Sequence, residues 1–200
     1  MFSHDGKLFK VMEIIGRYCF LNLLWLIFSL PIITIPASIT AMLGVIKGWS
    51  EGNESSLVNA FFGHFKKYLI KSSLLGILQL VVGIVLVGDL FVMWNLEGAL
   101  RIVTVPLFGI LAILFLFMSF YIYPLLVEFD MSLKELVRNS FYLTVTRPAS
   151  PTVILLFISV NVFICTFVRF LPILCAFSVT SFISYYIIKR TVAKVEKIAI

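Results

Sequence analysis

Long apolar runs, each close in length to one bilayer crossing, dominate this chain. Four of them occupy residues 69–94, 102–127, 152–168 and 170–188, and each is bounded by charge, proline or glycine. A transmembrane helix needs about 20 mainly apolar residues. The pattern therefore predicts four membrane-spanning helices in the later part of the chain.

An earlier apolar region, residues 18–46, is interrupted at Pro31 and Pro36. Each proline lacks a backbone N–H and clashes with the preceding helical turn. A continuous helix here would be about 43 Å long at 1.5 Å per residue, which is too long for one upright crossing and too short for two comfortable ones. We expect a proline-broken helix or a hairpin that partly re-enters the membrane, with a single tilted span as the alternative.

The composition excludes an ordinary soluble domain. Apolar residues make up 61% of the chain and charged residues 13%, against roughly 45–50% and about 25% in soluble domains. The fold class predicted is all-α: a polytopic transmembrane helical bundle with five to six membrane segments, the first broken at Pro31 and Pro36. The 200 residues leave room for one integral membrane domain, 1–200, and no separate soluble one.

The positions of lysine and arginine predict the orientation, because cytoplasmic loops retain positive charge. Most basic residues lie in 47–71, in the loop 128–150 and in the tail 189–197, whereas the two tight turns hold only Arg101 and Arg169. The three basic segments, including the C-terminus, are therefore assigned to the cytoplasm. The net charge of +6 follows from this retention and from the anionic inner leaflet, and it indicates no nucleic-acid partner.

The N-terminal residues Lys7, Lys10 and Arg17 also favour the cytoplasmic side. A hairpin over 18–46 places them there together with 47–71, whereas one crossing would separate the two groups. We favour the hairpin, and the side of the N-terminus stays open at this point.

Four polar residues lie within apolar runs and form a possible intramembrane polar site: Asn22, Gln79, Asn161 and Asp89. Gln79 and Asn161 fall near the middle of their helices, so they are a candidate pair. An interhelical hydrogen bond is the simpler role, and a position on a substrate path is the alternative.

Asp89 lies near the outer end of its run, close to the surface that also carries Glu97 and Arg101. We expect an outer-face ion pair there, with Glu97 and Arg101 as neighbours. A proton or cation site at Asp89 is the alternative.

Small residues recur at intervals of four and allow helices to approach closely. The two strips are Thr40, Gly44 and Gly48, and Ala176, Thr180 and Ser184. We expect them to pack within the chain, and homo-oligomerisation is the alternative.

The loop 128–150 contains an amphipathic pattern. One face carries Leu133, Leu136, Val137, Ser140 and Phe141, and the charges of Lys134, Glu135 and Arg138 lie elsewhere. This predicts an interfacial helix on the inner leaflet. The alternative is a docking helix for a partner, with Leu133, Leu136, Val137 and Phe141 as its contact residues.

Residues with catalytic or metal-binding potential are scattered. His4 and His64 are isolated, and Cys19, Cys165 and Cys175 lie in apolar stretches without metal-ligand spacing. The chain has no phosphate loop, HExxH or GxSxG pattern. We therefore predict no catalytic residue, no metal, no cofactor and no enzymatic activity.

Three segments resemble a known family: NLLWLIFSLPIITIPASITAMLGVIKGW, NAFFGHFKKYLIKS and SLKELVRNSFYLTVTRP. They are similar to the YesL-like family of bacterial membrane proteins, which is named as a domain of unknown function, and the similarity covers nearly the whole chain. The most specific positions are Asn22, Trp25, Pro31 within 30–34, Phe62, Phe65 and Lys66. The resemblance implies a multi-pass protein of the bacterial cytoplasmic membrane, often encoded beside carbohydrate uptake and degradation systems. It implies no activity and no catalytic residues.

Three functional hypotheses follow. The leading one is a non-enzymatic accessory component of a carbohydrate uptake system, which contacts the lipid bilayer and the permease subunits of the importer. The second is a small autonomous transporter or channel that acts as an oligomer. The third is a membrane scaffold without a ligand.

Overall fold

The computed structural model describes residues 7–53, 56–95, 97–167 and 176–196, and these ranges form helices joined by short connections, without a strand. The helices are α1 Lys7–Phe28, a 3₁₀ turn Ile32–Thr34, α2 Ile35–Ser50, α3 Leu57–Trp94, α4 Ala99–Phe129, α5 Leu133–Thr146, α6 Ala149–Phe167 and α7 Phe177–Glu196. Five of them, α1, α2, α3, α4 and α6, are long and apolar enough to cross a membrane. The predicted all-α helical bundle is confirmed. The first part of the run predicted at 170–188 lies outside the described residues.

The first apolar region is broken at the prolines. Helix α1 ends at Phe28, Pro31 is extended, and α2 begins at Ile35 with Pro36 in its first turn, where a missing N–H removes no helical hydrogen bond. The Thr34 hydroxyl lies 2.7 Å from the carbonyl oxygens of both Phe28 and Pro31. The Pro31 carbonyl also accepts from the Thr34 N–H at 2.9 Å, so the carbonyl at the end of α1 that gains a side-chain donor is that of Phe28.

Helix α2 runs antiparallel to the first half of α3. Three contacts, one per turn of α2, align them: Pro36 with Gly76, Thr40 with Ser72 and Gly44 with His64. The Thr40 and Ser72 hydroxyl oxygens are 2.8 Å apart in a buried hydrogen bond. The first small-residue strip therefore faces α3 at Thr40 and Gly44. Because Gly76 lies near the middle of α3, the 3₁₀ turn does not reach the far end of that helix.

The core is built around α2 and the end of α4. One buried cluster joins α1, α2, α3, α7 and the end of α4, with Leu21, Met42, Phe61, Val127 and Tyr185 among its members. A second cluster joins α3 through α7 and includes Tyr121, Leu126, Leu136, Ile154 and Ile188. Helix α2 thus lies inside the bundle and has few exposed apolar side chains.

The far half of the α3–α4 hairpin has the opposite character. Ile84, Phe91, Ile102 and Ile113 are each more than half exposed there. A contiguous apolar surface of this extent is rare on soluble proteins. It fits a helix pair that is surrounded by hydrocarbon.

Helix α5 folds back along the end of α4. Ser132 and Glu135 form a capping box at its start, and these hydrogen bonds from the Ser132 hydroxyl and N–H hold the pKa of Glu135 below its usual range. At the other end of α5 the Tyr121 hydroxyl donates to the Arg147 carbonyl at 2.7 Å. Since both ends are fixed, α5 is a defined helix in the predicted loop.

Candidate functional site

The three intramembrane amides have separate partners. The buried Asn22 accepts a hydrogen bond at Oδ1 from the Ser178 N–H, 3.2 Å away on α7. Gln79 accepts a hydrogen bond at Oε1 from the Tyr123 hydroxyl of α4. Asn161 lies 3.5 Å from the Cys165 sulfur of its own helix. The candidate pair of Gln79 with Asn161 is therefore not formed, and these amides do not meet in one polar site.

Gln79 and Asn161 do not pair because their helices, α3 and α6, do not pack closely against each other. Helix α3 packs mainly against α2 and α4, whereas α6 packs against α4 and α7. A sequence places a residue along its helix, but it does not state which helix stands beside it.

The turn between α3 and α4 also differs from its prediction. The Arg101 guanidinium lies over the Trp94 ring, 4.5 Å from its centroid, and it does not pair with Glu97. Among the residues described, Asp89 has no ion-pair partner either. An aromatic face replaces the expected carboxylate because cation–π attraction is available to an arginine beside an exposed tryptophan.

A polar cluster joins the ends of α2, α4 and α7. The Lys47 ammonium donates to the carbonyls of Val127 (3.2 Å) and Glu128 (2.9 Å) and lies 3.7 Å from the Glu128 carboxylate. The Tyr185 hydroxyl donates to the same carboxylate at 2.8 Å, and the Lys189 ammonium donates to the Ser50 hydroxyl at 3.1 Å. Lys47 thus caps the C-terminal end of α4, where unpaired carbonyls carry partial negative charge.

Sequence reasoning missed this cluster. The sequence predicts Lys47 only as one of the basic residues that set the orientation, and Glu128 only as the first residue of the loop 128–150. The available signal was that each directly continues an apolar run, AMLGVI before Lys47 and PLLV before Glu128.

A second set of ion pairs lies beside the first. Asp130 ends α4 in a left-handed conformation, with φ of 46°, and its carboxylate binds the ammonium groups of Lys67 (2.9 Å) and Lys71 (3.2 Å) on α3. The hydrogen bond from Lys67 holds the pKa of Asp130 below its usual range. We call the end of the bundle that carries these pairs, together with Lys47 and Lys189, the basic end. Arg101 lies at the opposite end of the α3–α4 hairpin.

A cavity of about 530 Å³ lies between the helices. Its lining residues come from α1, α2, α4, α6 and the start of α7: Trp25, Ile35, Ile39, Leu43, Leu116, Ser119, Phe120, Tyr123, Pro124, Ile158, Phe177, Thr180, Ser181 and Ser184. The second small-residue strip thus lines an open space at Thr180 and Ser184, while Ala176 is buried. Pro31 and Pro36 do not line the cavity, although Ile35 and Ile39 in the first two turns of α2 do.

Among the described residues, five hydroxyl groups line the cavity, those of Ser119, Tyr123, Thr180, Ser181 and Ser184, and the first three are engaged with the protein. The Ser119 hydroxyl donates to the Phe115 carbonyl at 2.9 Å, and the Thr180 hydroxyl donates to the Ala176 carbonyl at 2.8 Å. Tyr123 directs its hydroxyl to Gln79. Because most of the lining residues are aliphatic or aromatic, the surface presented to an occupant is mainly hydrocarbon.

The α5 residues that were predicted to contact a partner lie on two different faces of the helix. Leu136 is fully buried in the second core cluster, and Leu133 packs partly against it. Val137 and Phe141 are exposed, together with Tyr142 and Val145, which the predicted set omitted. A contact surface on α5 therefore consists of Val137, Phe141, Tyr142 and Val145, which we call the outer row.

The histidines, cysteines and carboxylates of the described residues are dispersed. Within the described ranges, no three His, Cys, Asp or Glu residues are grouped as a metal site would require. His64 packs its ring against Gly44 and parallel to Tyr68. His4 and Cys175 lie outside the described residues.

Comparison with known proteins gives one family and two relatives. Residues 18–90 match the family model described as "Protein of unknown function, DUF624". The chain is 30% identical to the "Uncharacterized protein YteU" of Bacillus subtilis (strain 168), over 98% of this chain and 90% of that protein. It is also 30% identical to the "Uncharacterized protein YesL" of the same organism, over 66% of this chain and 64% of that protein. No solved structure matches the chain.

Proposed function

Because this chain belongs to the DUF624 family of proteins of unknown function, we propose its role from its own surfaces: a non-enzymatic membrane component that docks through α5 to the membrane subunits of a solute importer. The observation that carries the proposal is the outer row of α5. The carbohydrate class of the solute follows from the family resemblance alone. The role requires no cofactor.

The outer row is a continuous apolar stripe. Val137, Phe141 and Val145 are spaced by four residues, so they lie on one helix face, and their side chains are 37%, 54% and 57% exposed. Tyr142 widens the stripe and is 56% exposed. Lys134 and Arg138 flank it. A complementary partner would present an apolar surface with carboxylates at its edge.

The opposite face of α5 holds the outer row in place. Leu136 and Leu143 are buried against the end of α4, and the capping box fixes the start of the helix. A surface that is ordered before binding loses little conformational entropy when a partner docks. Since α5 joins two helices that are apolar enough to span a membrane, we expect the partner to lie in the membrane too.

We expect the double variant Phe141→Ala/Val145→Ala to reduce co-purification with tagged importer membrane subunits by more than about tenfold, because aromatic anchors dominate the energy of such contacts. The matched control is Leu156→Ala/Val160→Ala on α6, which removes two side chains that are also exposed. Both variants should insert into membranes and unfold at the same temperature as the wild type. Leu136 is unsuitable for this test because it is buried.

Co-purification that is equal for the α5 and α6 variants would remove α5 from the proposed interface. An importer that transports its solute at the normal rate without this protein would remove the accessory role and favour the scaffold. Solute flux in vesicles that contain only this protein would favour the autonomous transporter.

For localisation we propose the bacterial cytoplasmic membrane with the basic end in the cytoplasm. The support is the concentration of Lys47, Lys67, Lys71 and Lys189 at that end, since cytoplasmic loops retain positive charge. In this orientation α5 and the C-terminal end of α7 lie on the cytoplasmic side, where α5 is accessible to importer subunits.

A further inference from the structure

The wall that α7 contributes to the cavity carries two available hydroxyl groups. Ser181 and Ser184 both line the cavity and are partly buried, and neither hydroxyl bonds to another of the described residues. The Thr180 hydroxyl beside them differs, because it donates to the Ala176 carbonyl of its own helix. Residues three apart on a helix share a face. Helix α7 therefore presents two adjacent hydroxyls to an occupant of the cavity.

The rest of the wall is apolar. Ile35, Ile39 and Leu43 supply one aliphatic side of α2, and Trp25 and Phe120 supply aromatic surface. The volume of about 530 Å³ falls within the roughly 300–1,000 Å³ of typical small-molecule sites. Among the described residues, none that lines the cavity is charged, so an ionic occupant would lose its hydration without gaining a counter-charge. A sugar would bring more hydroxyls than the two serines can bond. The wall thus fits a neutral molecule that is mainly hydrocarbon.

The rim of the cavity opens near the middle of the bilayer. Leu116 of α4 and Phe177 of α7 both line the cavity and are 43% and 44% exposed. At 1.5 Å per residue, Leu116 lies about 20 Å before the end of α4 and Phe177 about 18 Å before Lys189. With the basic end at the membrane surface, that distance exceeds half of a hydrocarbon core about 30 Å thick. An occupant that enters here must dissolve in the lipid chains.

One oxygen atom of an occupant can bond both serines. Side chains three apart on a helix have Cβ atoms about 5–6 Å apart, so an oxygen between Ser181 and Ser184 can lie at the usual O–H···O distance of about 2.7–2.8 Å from both hydroxyls. A carbonyl oxygen would accept from both, and a hydroxyl would accept from one and donate to the other. The polar part of the occupant is therefore a single hydroxyl or carbonyl group.

We propose that the cavity binds a neutral, lipid-soluble molecule with one hydroxyl or carbonyl group, which enters from the middle of the bilayer and bonds Ser181 and Ser184. The apolar wall holds the hydrocarbon body, and the serines hold the oxygen. This site is separate from the outer row of α5, so it stands or fails independently of the docking role.

The test uses Trp25 as a reporter inside the cavity, in the variant Trp49→Phe/Trp94→Phe. Three probes carry bromine, which quenches tryptophan, at one end of the same chain: bromododecanol has a hydroxyl at the other end, bromododecanone has a methyl ketone there, and bromododecane has no oxygen. In mild detergent, at least one oxygenated probe should quench Trp25 saturably and bind about tenfold more tightly than bromododecane, because it gains two hydrogen bonds. The tighter of the two identifies the oxygen group.

Two controls separate the cavity from the surrounding detergent. The variant that retains only Trp94, which is exposed at the far end of α3, should be quenched in proportion to probe content by all three probes. Ser181→Ala/Ser184→Ala should abolish the preference for the oxygenated probe and leave bromododecane binding in place. Thr180→Val should keep the preference, because the hydroxyl that it removes already donates to α7.

Trp25 quenching that rises with probe content as Trp94 quenching does would overturn the proposal. So would equal affinity of all three probes for the unmodified cavity, and this readout does not depend on any cavity variant folding correctly. A preference that Ser181→Ala/Ser184→Ala retains would overturn the assignment of the oxygen to these serines.

Discussion

Replacement of Gly76 by alanine is expected to lower the stability of the protein by about 3 kcal/mol, because it overpacks the contact between α2 and α3. A Cβ atom at this position would lie 2.1 Å from Cγ and 2.9 Å from Cβ of Pro36. The proline ring is rigid and is attached to the first turn of α2, so it cannot rotate away. Relief of the clash requires movement of α2 itself.

Gly83 on the same helix provides the matched control. A Cβ atom there would lie 3.7 Å from the Phe115 ring, which is ordinary van der Waals contact. Gly83→Ala should be neutral or stabilising, because alanine favours the helix by up to about 1 kcal/mol over glycine. Thermal unfolding of both variants in mild detergent measures the difference. Equal midpoints for the two would contradict the close approach of α2 to α3 at Gly76.

Replacement of Lys47 by methionine is expected to cost about 2–3 kcal/mol, because it leaves a largely buried carboxylate without its cation. The side chains of Lys47 and Glu128 are only 23% and 22% exposed, so solvent screens the pair weakly. The same change removes both hydrogen bonds from the ammonium to the end of α4. Lys66→Met, at an exposed position on α3, is the control and should have little effect.

A double-mutant cycle tests whether the loss comes from this pair. We expect Lys47→Met/Glu128→Leu to be less destabilised than the sum of the two single variants, since neither charge is then left unpaired. Unfolding midpoints in detergent provide the measurement. Strictly additive losses would mean that the two charges act independently.

The helices and the proline break are features that local sequence determines. Apolar runs of about 20 residues specify spans, and Pro31 removes a helical donor wherever it occurs. The same local signals predicted an amphipathic helix in 128–150, although α5 buries Leu136 and exposes Phe141. The predicted contact face included residues from both the buried and the exposed side of α5, because apolar residues cover more than half of the circumference of this helix.

The sequence alone could not predict which helices pack beside each other. Gln79 bonds Tyr123 and not Asn161 because α4 stands next to α3, a fact that hydrophobic runs do not encode. Lys47 follows an apolar run, as an interfacial lysine does. Only the fold shows that the end of α4 lies beside it. The small residues Thr180 and Ser184 suggested close packing, but Trp25 stacks on Phe177 at 4.2 Å between ring centroids and both rings line the cavity.

The path of α1 and α2 is tested most directly by cysteine accessibility in intact cells. Single reporter cysteines are placed at Lys7, Lys66 and Glu97, in a background without Cys19, Cys165 and Cys175. A membrane-impermeant thiol reagent should label Glu97→Cys and leave Lys7→Cys and Lys66→Cys unlabelled until the cells are opened. Labelling of Lys7→Cys in intact cells, with Lys66→Cys protected, would mean that α1 and α2 together cross the membrane once and would contradict the hairpin.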